Sequence, residues 1–192
     1  MRCAPLVALL LYFAALTGSP ASAATEETEA LQRLGEPGTH AIMRHAIAPG
    51  TGDPASFSLG DCTTQRNLDD RGRSQARAIG AAIRATGVSV TKVLSSQWCR
   101  SAETARLLDL GPVNEAPALN SFFADRSTRD AQTEATRRLL AELPDGETAV
   151  LVSHQVNITA LTGVYPRSGE IVVLKIGNDG AVEVVGRFLT GD

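Results

Sequence analysis

The run Thr148-Ala149-Val150-Leu151-Val152-Ser153 is short, unbroken and apolar, with Pro144-Asp145-Gly146 before it and His154 after it. A run of that length between turn signals reads as a buried strand. Thr39–Arg44 has the same character and also ends on charged residues, and Val88–Ser95, centred on Val90, Val93 and Leu94, makes a third. Helical spacing fills the intervals. Asp69–Ala85 puts Ala76, Ile79, Ala82 and Ile83 on one face and stops at Gly87. Trp98–Leu110 ends at Gly111-Pro112, Thr128–Leu143 turns Leu139, Leu140 and Leu143 inward, and Val156–Gly163 is a short helix behind the strongest strand. Ile171–Ile176 and Ala181–Phe188 flank Gly177-Asn178-Asp179-Gly180, a hairpin signal. Strands alternating with helices predict an α/β layered fold with a largely parallel sheet. In such a sheet chemistry belongs just beyond the carboxyl end of each strand.

With 192 residues and 43% hydrophobic content the chain can bury a core of ordinary domain size. A net charge of −3 and a pI near 5.6 exclude a nucleic-acid binder that grips the backbone through bulk positive charge. Composition also excludes disorder, collagen and a disulfide-dense miniprotein. The amino terminus reads differently from the rest. Arg2 precedes an apolar run from Ala4 to Leu16, and Ala21-Ser22-Ala23 forms an A-x-A cleavage signature. The expectation is a signal peptide over residues 1–23, a single domain over 24–192 and a periplasmic location, with no membrane span in the mature chain. An uncleaved anchor is the alternative. Export would leave Cys62 and Cys99, either bridged, which a disulfide-permissive compartment favours, or as two separate buried thiols.

Three strand ends carry the chemistry: Arg44-His45, Ser95-Ser96 leading to Arg100, and Ser153-His154. Two arginines and two histidines at one sheet edge predict an electropositive pocket, and guanidinium forks match phosphoryl oxygens in pairs. A histidine among them is suited to attack phosphorus. His40 lies inside its strand and reads as structural. Phe122 and Phe123 fit either a pocket wall or the core. Arg66, Asn67 and Asn157 are further polar candidates for a substrate pocket, or a polar loop and a first-turn helix residue.

Met43-Arg44-His45, the stretch Asn67 to Ala76, Ser95-Ser96 with Arg100 and Thr104, and Leu151-Val152-Ser153-His154, taken in that order, resemble the histidine phosphatase superfamily, the phosphoglycerate-mutase-like group. The resemblance implies a three-layer α/β/α sandwich and a phosphomonoesterase. His45 would form a transient phosphohistidine, with Arg44, Arg100 and a cationic His154 around the phosphate. It implies no metal or other cofactor, because arginines supply the charge. Two positions depart from the pattern. Ala46 replaces a glycine and fits only with a negative φ or at the cost of a left-handed one. Gln155 stands where one branch has an acid, so the proton donor is sought in the segment after Arg100, with Asp125 as the candidate. The expected partner is a phosphorylated small molecule or envelope glycan. Competing readings are a phosphate- or phosphosugar-binding protein without turnover, a mutase, and an envelope protein that meets anionic lipid headgroups.

Overall fold

The computed structural model describes residues 29–144, 146–177 and 179–189. Residues 1–23, where a signal peptide is expected, with Cys3 among them, and Asp145 and Asn178 lie outside them. Six strands form one sheet: β1 (Thr39–Arg44), β2 (Lys92–Ser95), β3 (Val113–Glu115), β4 (Ala149–Ser153), β5 (Ile171–Ile176) and β6 (Val182–Phe188). Their order is β3-β2-β4-β1-β5-β6. The pairs β3–β2, β2–β4 and β4–β1 are parallel, and β5 and β6 add to the β1 edge antiparallel. The sheet is therefore mostly parallel, as the strand–helix alternation predicts.

Alternation along the strands sorts the core into two layers. Ala41, Met43, Val93, Val150, Val152, Ile171 and Val173 face α1 (Asp70–Ala85) and α2 (Cys99–Leu108), packing on Ile79, Ile83, Ala105 and Leu108. Leu31 and Leu34, in and just after the helical residues 29–33, join this layer. Ile42, Leu94, Leu151, Val172 and Leu174 face the other way, toward Leu140 of α3 (Arg129–Ala141) and Ile158 and Leu161 of α4 (Gln155–Thr162). The result is a three-layer α/β/α sandwich.

The boundaries shift where a partner is missing. The strand expected over Val88–Ser95 pairs only from Lys92, because its neighbour β4 begins at Ala149, the register partner of Lys92. Val88 and Val90 pack on the core edge without a ladder. The helix expected over Trp98–Leu110 ends at Leu108, where Asp109 turns left-handed at φ 53°. β3 has no apolar pattern to announce it, since Val113-Asn114-Glu115 is a short edge strand with two of its three residues exposed. No described helix is long and apolar enough to cross a membrane.

Register fixes where the reactive residues emerge. Arg44 sits beside Ser153, and Ser95 beside Val152. His45, Ser96 and His154 therefore leave the sheet at one edge. Behind them α1 packs tightly. Asp69 caps it by accepting from Gly72 N at 2.7 Å. A side chain at Gly72 would put its Cβ 2.0 Å from the Ile47 carbonyl oxygen, so only glycine lets the helix press on the segment after His45. Gln75 completes the contact, accepting from Ile47 N at 3.1 Å and donating to Ser168 O at 3.0 Å.

Candidate active site

His45 is buried, and its hydrogen bonds fix its tautomer. The Arg100 guanidinium can only donate, and its Nε lies 3.2 Å from His45 Nε2, so Nε2 carries the lone pair. The ring proton is then on Nδ1, which donates to Ala46 O at 2.8 Å. Ala46 meets the departure from the family pattern without strain: among the described non-glycine residues only Asp109 has a positive φ. Its N–H donates to Thr104 Oγ1 at 3.1 Å, and the Thr104 hydroxyl donates to Arg100 O at 2.7 Å. That chain of contacts ties the β1 end to the first turn of α2.

His154 caps α4 through its backbone, and its ring centroid lies 5.5 Å from that of His45. Its Nε2 is 2.7 Å from Ser96 Oγ, which also accepts from Trp98 N at 3.2 Å. Neither Trp98 nor His154 caps its helix through its own side chain, and Gln65 Oε1 instead accepts from Cys99 N at the start of α2, at 2.9 Å.

A cavity of about 550 Å³ opens over these groups. It is lined by Arg44, Arg66 and Arg100, both histidines, the loop from Gly50 to Ala55, and a mostly apolar rim that includes Phe57, Trp98, Phe123 and Tyr165. Phe57 stacks on Trp98 at 5.1 Å, and Trp98 meets His154 edge to face at 5.4 Å. Arg44 donates to Pro166 O at 3.2 Å, while its buried Nε has no hydrogen-bond partner among the described residues. A buried donor of this kind calls for an acceptor in the cavity.

The electrostatics are those of crowded cations. Burial first, then Arg100, hold the His45 imidazole well below its usual 6.5, with Arg66 and Arg44 adding to the effect against the Ala46 contact. Burial likewise holds His154 low, followed by His45, Arg100, Arg66 and Arg44. The expected cationic His154 is thus corrected: both rings are held toward the neutral form at neutral pH, first by burial and then by the cations around them. Arg66 is itself pulled down to about 10, by burial and then by Arg100.

The sequence-derived residues divide sharply. Arg44, His45, Arg100 and His154 meet at the cavity, with Arg66, Phe123 and Gln155 in its lining. Cys62 and Cys99 are bridged, with Cα atoms 5.7 Å apart, which clips the loop to the residue before Arg100. Asn67 instead turns its amide to Cys62 O and Gln65 O, Phe122 is buried at 4% exposure outside the lining, and Asn157 donates to Asn120 O. Asp125 is exposed and outside the lining. Its carboxylate caps a short 3-10 turn, accepting from Ser127 N and Oγ at 3.0 and 2.6 Å. Those bonds hold it below the usual carboxylate range, the wrong direction for a proton donor. His40 is buried and accepts from Ala149 N, away from the cavity.

Asp53 is the site residue that sequence reasoning missed. Its two carboxylate oxygens take the Arg100 fork at 2.6 and 3.1 Å, and also accept from Arg66 N at 3.1 Å and Trp98 Nε1 at 3.0 Å. Burial alone would raise it, but Arg100 and the other donors bring it below its ordinary value. Only its place in a long Gly- and Pro-rich loop hinted at a role.

A family model described as the histidine phosphatase superfamily (branch 1) matches residues 42–128. No curated protein matches the sequence. Among solved structures, the fold is similar to that of the protein histidine phosphatase SixA complexed with tungstate, at 17% identity and a TM-score of 0.57 over 79% of this chain and 96% of that one. A mycobacterial glucosyl-3-phosphoglycerate phosphatase is 18% identical with a TM-score of 0.54, over 80% and 97% of the two chains. A phosphoserine phosphatase from Entamoeba histolytica, in complex with 3-phosphoglyceric acid, is 14% identical with a TM-score of 0.58, over 79% and 97%. At these identities the likeness is one of fold.

Proposed function

We propose that this chain, whose residues 42–128 match the histidine phosphatase superfamily (branch 1), is a member of that superfamily and hydrolyses phosphate monoesters through a phosphohistidine at His45. One observation carries the reading. His45 Nε2 is a buried, unprotonated nitrogen that faces a guanidinium, with its other ring nitrogen anchored to Ala46 O. Such a nitrogen has the lone pair that attack on phosphorus requires, and it has it near neutral pH. Arg44, Arg66 and Arg100 supply the charge that a metal would otherwise bring to the equatorial oxygens. Water then releases phosphate from the nitrogen.

The cavity is far larger than a phosphate group, and its Phe57–Trp98 stack and Phe123 offer flat apolar faces. These suit the carbon face of a sugar ring, which supports a phosphorylated small molecule or envelope glycan as substrate. The apolar leader at residues 4–16 and the Cys62–Cys99 bridge support an exported, periplasmic enzyme. A second reading, a binding protein of the same fold without turnover, draws on Gln155 in the lining and Asp125 outside it.

The two readings separate in a His45→Ala variant assayed on an aryl phosphate. The expected outcome is a loss of roughly 10⁴-fold or more, with the fold and orthophosphate binding retained. Unchanged hydrolysis would remove His45 from the chemistry. Wild-type protein that binds orthophosphate but turns over no ester would establish the second reading.

A further inference from the structure

Building on the phosphatase reading, we propose that Asp53 is the proton donor to the leaving group, and that its carboxylate holds the Arg100 fork until a phosphoryl group displaces it. Three observations support this. Arg100 directs Nη1 and Nη2 to Asp53 and Nε to His45, with Nη1 also shared with Arg66 O at 3.3 Å. A phosphoryl group that docks on this fork must therefore take the place of the carboxylate, whose paired oxygens present the same shape to a guanidinium. Second, Asp53 has anchors apart from Arg100. Arg66 N and Trp98 Nε1 hold it at the cavity wall, so the displaced group stays beside the phosphorus. Third, Asp53 is the one carboxyl-bearing residue in the lining of this cavity, while Gln155 contributes an amide that cannot give up a proton.

Displacement also arms the group. Beside Arg100 the carboxylate is held in its charged form. Loss of that cation and the approach of a phosphate dianion both push the carboxyl group upward, against the Arg66 N and Trp98 Nε1 donors that remain. The proton arrives with the substrate monoanion, since a phosphate monoester loses its second proton near pH 6. The His45 and His154 rings and the Arg44 and Arg66 guanidinium groups also face the cavity, and none of them gives up a proton as readily: both rings are neutral and the guanidinium groups are very weak acids. Gly50 and Gly52, at φ 92° and 71°, sit just before Asp53 in a loop suited to small adjustments.

In the first step the Nε2–P bond forms and the P–O bond to the leaving group breaks. The electron pair goes to that oxygen, which takes the Asp53 proton. In the second, water bonds to phosphorus and gives a proton to Asp53, the N–P bond breaks, and its electron pair returns to Nε2. Dihydrogen phosphate leaves with the Asp53 proton, and the carboxylate returns to the Arg100 fork.

The test compares p-nitrophenyl phosphate, a good leaving group, with glycerol 2-phosphate, a poor one, on the wild type and Asp53→Asn. The expected result is a loss of roughly 10²- to 10⁴-fold on glycerol 2-phosphate, against less than about tenfold on the aryl ester. Inhibition by orthophosphate is expected to stay equal or tighten, because the amide no longer competes for Arg100. Equal losses on both esters with weakened orthophosphate inhibition would make Asp53 a structural strut, and no loss on either would exclude it; both results overturn the proposal. Should the variant fail to fold, the wild type alone decides. With an internal acid its kcat/KM changes little with leaving-group basicity, and a steep dependence contradicts the proposal. His45→Ala keeps the two levels apart: if it retains hydrolysis the phosphatase reading fails, and if it is inactive while Asp53→Asn keeps its full rate on glycerol 2-phosphate, only the present inference fails.

Discussion

The back wall and the front wall of the cavity are built by different forces. At the back, Arg44, His45 and His154 leave adjacent parallel strands, and the register of β1 on β4 sets their spacing. Ala46 and Ala48 pack there with Leu68 and Ala76, and α1 approaches so closely that glycine is required at position 72. At the front, residues 50–66 hold themselves by polar contacts: Asp53 on Arg100, Arg66 on Gly52 O at 2.8 Å and on Ala48 O, and the Cys62–Cys99 bridge. Packing allows one arrangement, whereas polar contacts can be exchanged for a ligand's. The proposed mechanism accordingly sets the nucleophile on the wall held by packing and the group that changes partners on the wall held by polar contacts.

That contrast breaks most visibly at Gly72. Gly72→Ala is expected to cost about 3 kcal/mol, read as a lower denaturant midpoint at unchanged m-value, because a backbone carbonyl and not a flexible side chain meets the new methyl. A neutral result would show that the back wall yields. The front wall should respond less. Removing the bridge in a Cys62→Ser/Cys99→Ser variant is expected to cost about 2 kcal/mol, the low end for a native disulfide, because the polar contacts remain. Its KM should rise more than its kcat falls, since the loop shapes binding while His45 stays in place. A collapse of kcat at unchanged KM would place the bridge in the chemistry.

The back wall was the more legible in the sequence, for a physical reason. Arg44, His45 and His154 directly follow apolar runs, and a strand end has only one place to go. The motif from Asn67 to Ala76 was recognisable as a pattern, but its meaning needed coordinates: Asp69 caps, Gly72 admits Ile47, and Gln75 holds the Ile47 backbone. The front wall was nearly silent. Nothing in Gly50-Thr51-Gly52-Asp53-Pro54 separates an acid on Arg100 from a solvated loop acid. Asp125 was preferred because it lies after Arg100 in the chain, yet a serine two residues on is the local signature of a carboxylate that caps its own turn. Phe122 and Asn157 were open between pocket and scaffold and take the scaffold alternative, since which neighbour a side chain meets is decided by tertiary packing and not by sequence position.

The smallest effect, and the one that dissects the two walls by pH, concerns stability. Above 6.5 the buried rings of His45 and His154 are neutral both folded and unfolded. Below it the unfolded chain takes up protons that the folded rings resist, so stability falls as pH falls. Asp53, whose folded value lies below 3.8, keeps its contribution until much lower pH. Denaturant midpoints should therefore begin to drop between pH 7 and 5, and the drop should shrink in the His45→Ala variant. A flat response over that range would contradict the electrostatics given for the back wall.

The account rests on a covalent step at His45, and trapping reads that step directly. Wild-type protein mixed with a labelled aryl phosphate, quenched by denaturation at alkaline pH within one turnover and digested for mass spectrometry, is expected to carry one phosphoryl group on the peptide containing His45, and none in the His45→Ala variant. Single-turnover hydrolysis that leaves His45 unlabelled would contradict it.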